Sequence, residues 1–206
     1  MIAARIEFDG LKQLEEKLGS VEKKGPSIVK KAVNDTAKKA TKRLAKRAKD
    51  TYTVKRGAFV SAMNVRGATV KNLTATIEGA GRALSLTRFS YKKSKEDGVS
   101  AQVLKTGTMK NLVRKQNNEK AFVIRFESGH VAVAQRRIGQ RYKSKGASER
   151  IAKYGKNADL TRIKVLSAPS LPNMINSKRV VGEEKDKILL DLKETLAKHM
   201  EEFVKG

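Results

Sequence analysis

Cysteine is absent from the 206-residue chain, which excludes a disulfide scaffold, thiol catalysis and Cys-ligated zinc. Tryptophan is also absent, and with 6 Phe and 4 Tyr the core must be largely aliphatic. The 2 histidines, His130 and His199, stand in no metal-ligand or triad spacing, so both are expected to be structural or solvent-facing. No run approaches the ~18 apolar residues of a membrane-spanning helix. Met1 to Gly10 lacks the cationic start and apolar stretch of a secretory signal. A soluble chain in a cytoplasm-like compartment is therefore expected, where Asn-x-Thr at Asn34 and Asn72 has no meaning for glycosylation. There is no Gly-Lys-Ser/Thr phosphate loop. Gly79-Ala80-Gly81 has no amphipathic helix behind it and reads as a flexible strand end rather than a dinucleotide site. The carboxylates cluster on what reads as one solvated helix face, not as an isolated acid–base pair. No catalytic residue, cofactor or metal site is read, and the chain is not expected to be an enzyme.

Acidic charge is scarce as well. Against 46 Lys+Arg stand 21 Asp+Glu, a formal net charge of +25. Such an excess calls for a polyanionic counterpart: nucleic acid, an anionic membrane or acidic protein neighbours. A membrane is the weakest of these, because the most basic helix lacks the Trp and Phe anchors of an interfacial helix.

The 39% of hydrophobic residues suffice for a core, and the length fits a single domain over 1–206. Ala4 to Phe8 alternate as a short strand. Asp9 then caps a short helix with Leu11, Leu14 and Leu18 on one face. A stronger helix follows Gly25-Pro26, with Ser27 as its cap and Val29, Val33, Thr36, Ala37, Ala40, Leu44 and Ala48 as a narrow apolar stripe. Its other faces are basic. Lys38, Lys39, Lys42, Arg43, Lys46, Arg47 and Lys49 follow one another with no acid among them. Like charges at this spacing repel by a few tenths of a kcal/mol per i,i+4 pair, so the run points to a partner.

Val54 to Met63 reads as a further helix capped by Thr53. Strands come next: Val65 to Val70 and Leu73 to Glu78 as a hairpin turning at Lys71-Asn72, Leu84 to Phe89 as an edge segment, and Val99 to Leu104. Ala121 to Phe126 and His130 to Gln135 form a hairpin across Ser128-Gly129. From 138 to 159 the apolar pattern fails. An extended basic loop is expected there, rich with its approach in Arg136, Arg137, Arg141, Lys143, Lys145, Arg150, Lys153 and Lys156. Ile163 to Leu166 restore a strand, Pro169 and Pro172 break it, and a last helix runs from about Val181 to Val204. Ile188, Leu189, Leu192, Leu196, Met200 and Phe203 form its apolar face. The order predicts an α+β fold, a small and mostly antiparallel sheet flanked by a long basic N-terminal helix and a long C-terminal helix.

Several motifs share their order with a known family. Gly10-Leu-Lys-Gln13 precedes the Ala/Lys helix, and Thr53-Val-Lys-Arg56 precedes Arg66-Gly-Ala-Thr-Val-Lys-Asn72. Then follow Leu84-Ser-Leu-Thr-Arg-Phe89, Gly98-Val-Ser-Ala-Gln-Val103, Lys120-Ala-Phe-Val123, Leu160-Thr-Arg-Ile-Lys-Val165 and Pro169-Ser-Leu-Pro172. In this the chain resembles the minor tail protein Z family of long-tailed phages and prophages, the tail completion proteins. The resemblance implies a structural virion protein, assembled in the host bacterial cytoplasm and placed in the tail or neck. It implies a homo-oligomeric ring, hexameric by expectation, at the head-proximal end of the tail. There it would join the tail to the head-tail connector around the DNA channel, next to tail terminator, tail tube or connector proteins. Packaged DNA would be touched through phosphates only, and no catalytic residues carry over.

Six chains at +25 each repel one another, so the isolated chain is expected to be monomeric or weakly associated. Reversing Lys42, Arg43, Lys46 and Arg47 to Glu is expected to leave the fold intact and block virion joining. The alternative reading is a sequence-independent nucleic-acid-binding protein, with affinity falling steeply as salt rises.

Overall fold

The computed structural model describes residues 2–7, 24–55, 59–114 and 118–205; the expected helix on Leu11, Leu14 and Leu18 lies outside them. Contacts divide the chain into two compact units: 1–52, 56–83 and 169–206 form the first, 53–55 and 84–168 the second. The fold is α+β, with small antiparallel sheets and a long helix near each end.

In the first unit, α1 (Gly25–Thr51) starts without a side-chain cap: Lys24 precedes it, Pro26 sits in its first turn, and the expected cap Ser27 is already helical. Proline is tolerated there because the first-turn N–H has no helical partner. Every residue of the expected stripe is buried, and Ala32, Thr41 and Ala45 are buried too, so the stripe is broader than the sequence pattern. Small side chains let neighbouring backbone approach along its length. The C-terminal helix α4, numbered in chain order with the helices below, spans Glu183–Lys205 and follows a wide π-type turn, Lys178–Gly182. Glu183, Glu184 and Asp186 fall in its first turn, where the helix dipole favours acids. Val29, Ala32, Val33 and Ala37 of α1 pack with Leu192 and Leu196 of α4, and with Ala68 and Ala75 from the sheet side.

Strands β1 (Ile2–Glu7), β2 (Met63–Arg66) and β3 (Thr76–Gly81) make a sheet in the order β1-β3-β2. The expected hairpin exists, with Val65 opposite Ile77, but its loop spans 67–75 and the strands are displaced outward from the predicted bounds. The cause is Asn34 of α1. Its side-chain amide donates to Ala68 O at 3.1 Å and accepts from Ala68 N at 2.7 Å, taking the hydrogen bonds that a strand neighbour would have used. A Cβ on Gly67 would lie 2.9 Å from Asn34 Oδ1, so a larger residue there would push on the bridging amide. Gly79-Ala80-Gly81 is not a loose strand end. It is the end of β3, where Pro172 of α3 (Leu171–Ile175) lies so close that a Cβ on either glycine would meet its ring at 3.0 Å.

The second unit holds β4 (Leu84–Ser85), β5 (Ser90–Ser94), β6 (Gly98–Gln102), β7 (Lys110–Asn111), β8 (Val113–Arg114), β9 (Glu119–Lys120), β10 (Phe122–Arg125), β11 (Val131–Arg141), α2 (Ser144–Tyr154) and β12 (Thr161–Ala168). The main sheet runs β10-β11-β12-β4. Its β10–β11 hairpin turns where expected, with Gly129 at φ +78° and Phe126 N–H bonded to His130 O at 2.8 Å. Leu84 to Phe89 is a strand only over β4; Leu86–Arg88 form a 3-10 turn, with Ser85 accepting from Thr87 N–H. Leu86, Phe89, Val99, Ala101, Ala132, Val133 and Ala134 are buried here.

Two expectations need correction. Among the described residues of 54–63 no helix forms, and Thr53 spends its hydroxyl on Gln102 O rather than on a helix start. The segment 138–159 is not a loop throughout: Ile138 to Arg141 continue β11, and α2 occupies Ser144–Tyr154.

Candidate functional site

Two regions of the chain concentrate positive charge, and they are built differently. On α1, residues one helical turn apart meet residues of α4 taken in reverse order. Lys31 Nζ lies 4.0 Å from Glu202, and Asp35 lies 3.1 Å from His199 Nε2. Lys39 donates to Thr195 Oγ1 at 3.3 Å. Arg43 reaches Asp191 at 2.8 Å and Glu184 at 3.7 Å, while Arg47 pairs with Glu183 and donates to Arg179 O. The helices are thus joined antiparallel along one line. Glu184 is only 5% exposed and is held by both Arg43 and Lys187. Burying a carboxylate is costly without such partners.

The acids of α4 are therefore not one solvated face, as their clustering in sequence implies. Several are counter-charges for α1. Of the basic-helix residues singled out above, Arg43 and Arg47 are half-buried and tied to α4, and Lys39 is bonded to it. Lys38, 3.8 Å from Asp35 within its own helix, and Lys42, Lys46 and Lys49 are exposed. A hollow lined by Lys39, Lys42, Arg43, Lys46 and Arg47 also carries Asp50, Glu184 and Asp191, so base and acid face each other across it. Turning Arg43 and Arg47 into Glu would set acid against Glu183, Glu184 and Asp191. The fourfold reversal is therefore expected to destabilise the helix pair rather than spare the fold.

The second region is the ribbon formed by the distal parts of β11 and β12 with α2 between them. No residue from Gln135 to Ser167 is buried, and α2 buries none of its side chains. The ribbon is held by polar and cation–π contacts instead. Arg136 bonds Asp159 at 2.9 Å and Thr161 O at 3.2 Å, and lies over the Phe122 ring. Arg150 donates to Asp159 O at 3.0 Å and stands over both Tyr142 and Tyr154, 5.1 and 5.3 Å from their ring centres. Lys153 pairs with Glu127, which pushes that carboxyl below its ordinary range. Asp159 is also lowered, first by the backbone N–H of Thr161 and then with help from Arg136 and Arg150. Arg137 is bonded to Gln140, Lys145 is 3.9 Å from Glu149, and Arg141, Lys143, Lys156, Arg162 and Lys164 are exposed.

His130 is exposed, its ring stacked on Phe126 with centres 6.1 Å apart, whereas His199 is a clasp between Asp35 and Glu202. Among the described residues no group of His, Asp and Glu could hold a metal ion, and no helix is long and apolar enough to cross a membrane. Asn34, Glu184, Asp191 and the tyrosines flanking Arg150 carry structure that the sequence reading did not assign. A signal for the clasp did exist, the four-residue step of 31, 35, 39, 43 and 47 set against a last helix rich in acid.

No curated protein and no solved structure matches the chain. The family model of prophage minor tail protein Z matches residues 8–205, across both units; the chain belongs to that family and is a structural component of a phage tail.

Proposed function

We propose that the chain is a tail completion subunit, forming a multimeric ring, six copies by expectation, at the head-proximal end of the tail. There it joins the tail to the connector around the DNA channel, in contact with tail terminator, tail tube or connector proteins. Family membership over 8–205 carries this reading. The role is architectural rather than catalytic. Exposed Lys38, Lys42, Lys46 and Lys49 on α1 are offered to acidic neighbours in the tail.

Charge supplies a constraint on assembly. Pairing between α1 and α4 neutralises part of the chain internally, yet the net charge remains +25. Copies repel until something acidic joins them, within a Debye length of about 8 Å at physiological salt. The isolated protein should sediment as a monomer or a weak associate, and a stable hexamer without partners would contradict this. An image reconstruction of virions assembled with and without the chain tests placement. The reading expects density for this fold as a ring at the head-proximal tail end, and heads left unjoined in its absence. Normal infectious particles without the chain would overturn it.

A further inference from the structure

We propose that the β11–α2–β12 ribbon is a nucleic-acid contact that grips the phosphates of duplex DNA without reading its sequence. The starting point is burial. From Gln135 to Ser167 the chain holds a regular strand pair and a helix, yet no residue is fully buried. Fixing backbone costs about 1–2 kcal/mol per residue, and hydrophobic burial is the usual compensation. Here the compensation within the chain comes from strand pairing, the half-buried Leu160, Ile163 and Leu166, the Gln135 hydrogen bonds, and the contacts around Arg136, Arg150, Lys153 and Arg162. A segment held mainly by polar contacts leaves much of its surface, and most of its charge, free for a partner.

Charge identifies the partner's chemistry. The only carboxylates on this segment are Glu149 and Asp159, and Asp159 is engaged by Arg136 and Thr161. Arg141, Arg162 and Lys164 remain exposed on two strands that pair antiparallel with Arg141 opposite Thr161, and Lys143, at the start of α2, is exposed beside them. Alternate residues of one strand share a face, which puts Arg162 and Lys164 on the same side of β12. Two hollows follow the ribbon. Arg136, Arg137, Gln140 and Lys164 contribute to one, and Arg141, Lys143 and Arg162 to the other. Both present donors to an anion, and Gly139 at φ +81° lets the strand bend between them.

The alternative occupant is an acidic protein. Protein interface cores are depleted in lysine and built on apolar and aromatic anchors, whereas nucleic-acid interfaces are polar and strongly positive. The exposed apolar residues of the strands, Ile138 and Val165, are separated along the ribbon, with Val165 opposite Ala134, and on α2 the exposed Ile151 and Tyr154 stand among bases, Tyr154 lying under Arg150 and Lys153. That composition favours the duplex.

This assignment deepens the tail reading, since the channel is where a tail subunit would meet DNA, but its test does not depend on that reading. The full-length protein is titrated with a random-sequence 30-base-pair duplex by fluorescence anisotropy at several salt concentrations. A variant with R141A, K143A, R162A and K164A is expected to bind at least about tenfold more weakly, its slope of log affinity against log salt reduced by about 3 to 4. The Lys-for-Arg exchange at 141 and 162 should retain most binding, since phosphate contact needs charge more than a fork. A parallel variant, K42A, K46A and K49A on α1, should change affinity by less than about threefold, with the slope little altered. Equal loss from both variants, no salt dependence, or displacement of DNA by poly-glutamate of equal charge would overturn the assignment. Any of those outcomes leaves the position in the tail to be judged by imaging alone.

Discussion

The two basic regions contain similar residues but differ in what answers their charge. On α1, arginines face carboxylates of α4 at 2.8 to 3.7 Å, and the buried Glu184 makes those contacts part of the core's edge. On the ribbon, few acids are present, none of the segment is buried, and most cations look outward. A run of lysine and arginine therefore does not by itself mark a binding face. Its meaning depends on whether the fold supplies the counter-charge.

The comparison makes its largest prediction at Arg43. Replacing it with alanine strips Glu184 and Asp191 of a shared partner, and breaking a buried pair costs about 3–5 kcal/mol when both charges are fully desolvated. Arg43 is about a third exposed, so we expect about 2–3 kcal/mol. The thermal midpoint should fall by roughly 5–10 °C in circular dichroism. Combining Arg43→Ala with Glu184→Gln should recover part of the loss, and full additivity of the two changes would show that the residues do not interact.

A smaller effect is expected at Asn34. Alanine there leaves the N–H and carbonyl of Ala68 without their partner, in a loop where Ala68 is buried, at a cost of about 1–3 kcal/mol. Serine should not rescue it, because one hydroxyl cannot occupy both positions. Melting curves of the two variants check this, and equal rescue by serine would contradict the two-bond geometry.

Acid sensitivity should be milder. The His199 hydrogen bond, aided by the charges of Lys31 and Lys198, holds the Glu202 carboxyl below its ordinary value. A lowered folded-state value means the contribution is complete above the ordinary glutamate range and is lost as pH falls through the depressed one. Glu202→Gln should therefore lower stability slightly near neutrality, leave it unchanged in strong acid, and so flatten the acid limb of the stability profile. The ribbon should respond least. Removing Arg141, Lys143, Arg162 and Lys164 should alter stability by no more than about 0.5 kcal/mol, as expected of exposed side chains. A large destabilisation would mean that the ribbon's charges have partners within the chain.

Legibility from sequence followed the same division. The stripe of α1 and the apolar face of α4 were readable because burial imposes a period of 3.6 residues on local sequence. Val29, Leu44, Ile188 and Leu196 all lie where that pattern puts them. The pairing of Arg43 with Asp191 joins positions far apart in the chain, and it is legible only when the four-residue step on α1 is set against the acids of α4. Helix α2 was missed because its apolar stripe, Ala147, Ile151 and Tyr154, is only two turns long, sits within a basic run, and is not fully buried. Gly79 and Gly81 end a strand as expected, but their tight packing against Pro172 was not legible, because that proline arrives from a distant segment. The polarity and basicity of 138–159 were plain, but its secondary structure was not.

Lysine acetylation footprinting of the full-length protein, with and without the duplex, tests most directly whether the two regions differ in kind. The account predicts that Lys143, Lys145 and Lys164 on the ribbon lose reactivity when DNA is added, while Lys38, Lys42, Lys46 and Lys49 on α1 keep theirs. Protection centred on α1, with the ribbon lysines unchanged, would contradict it.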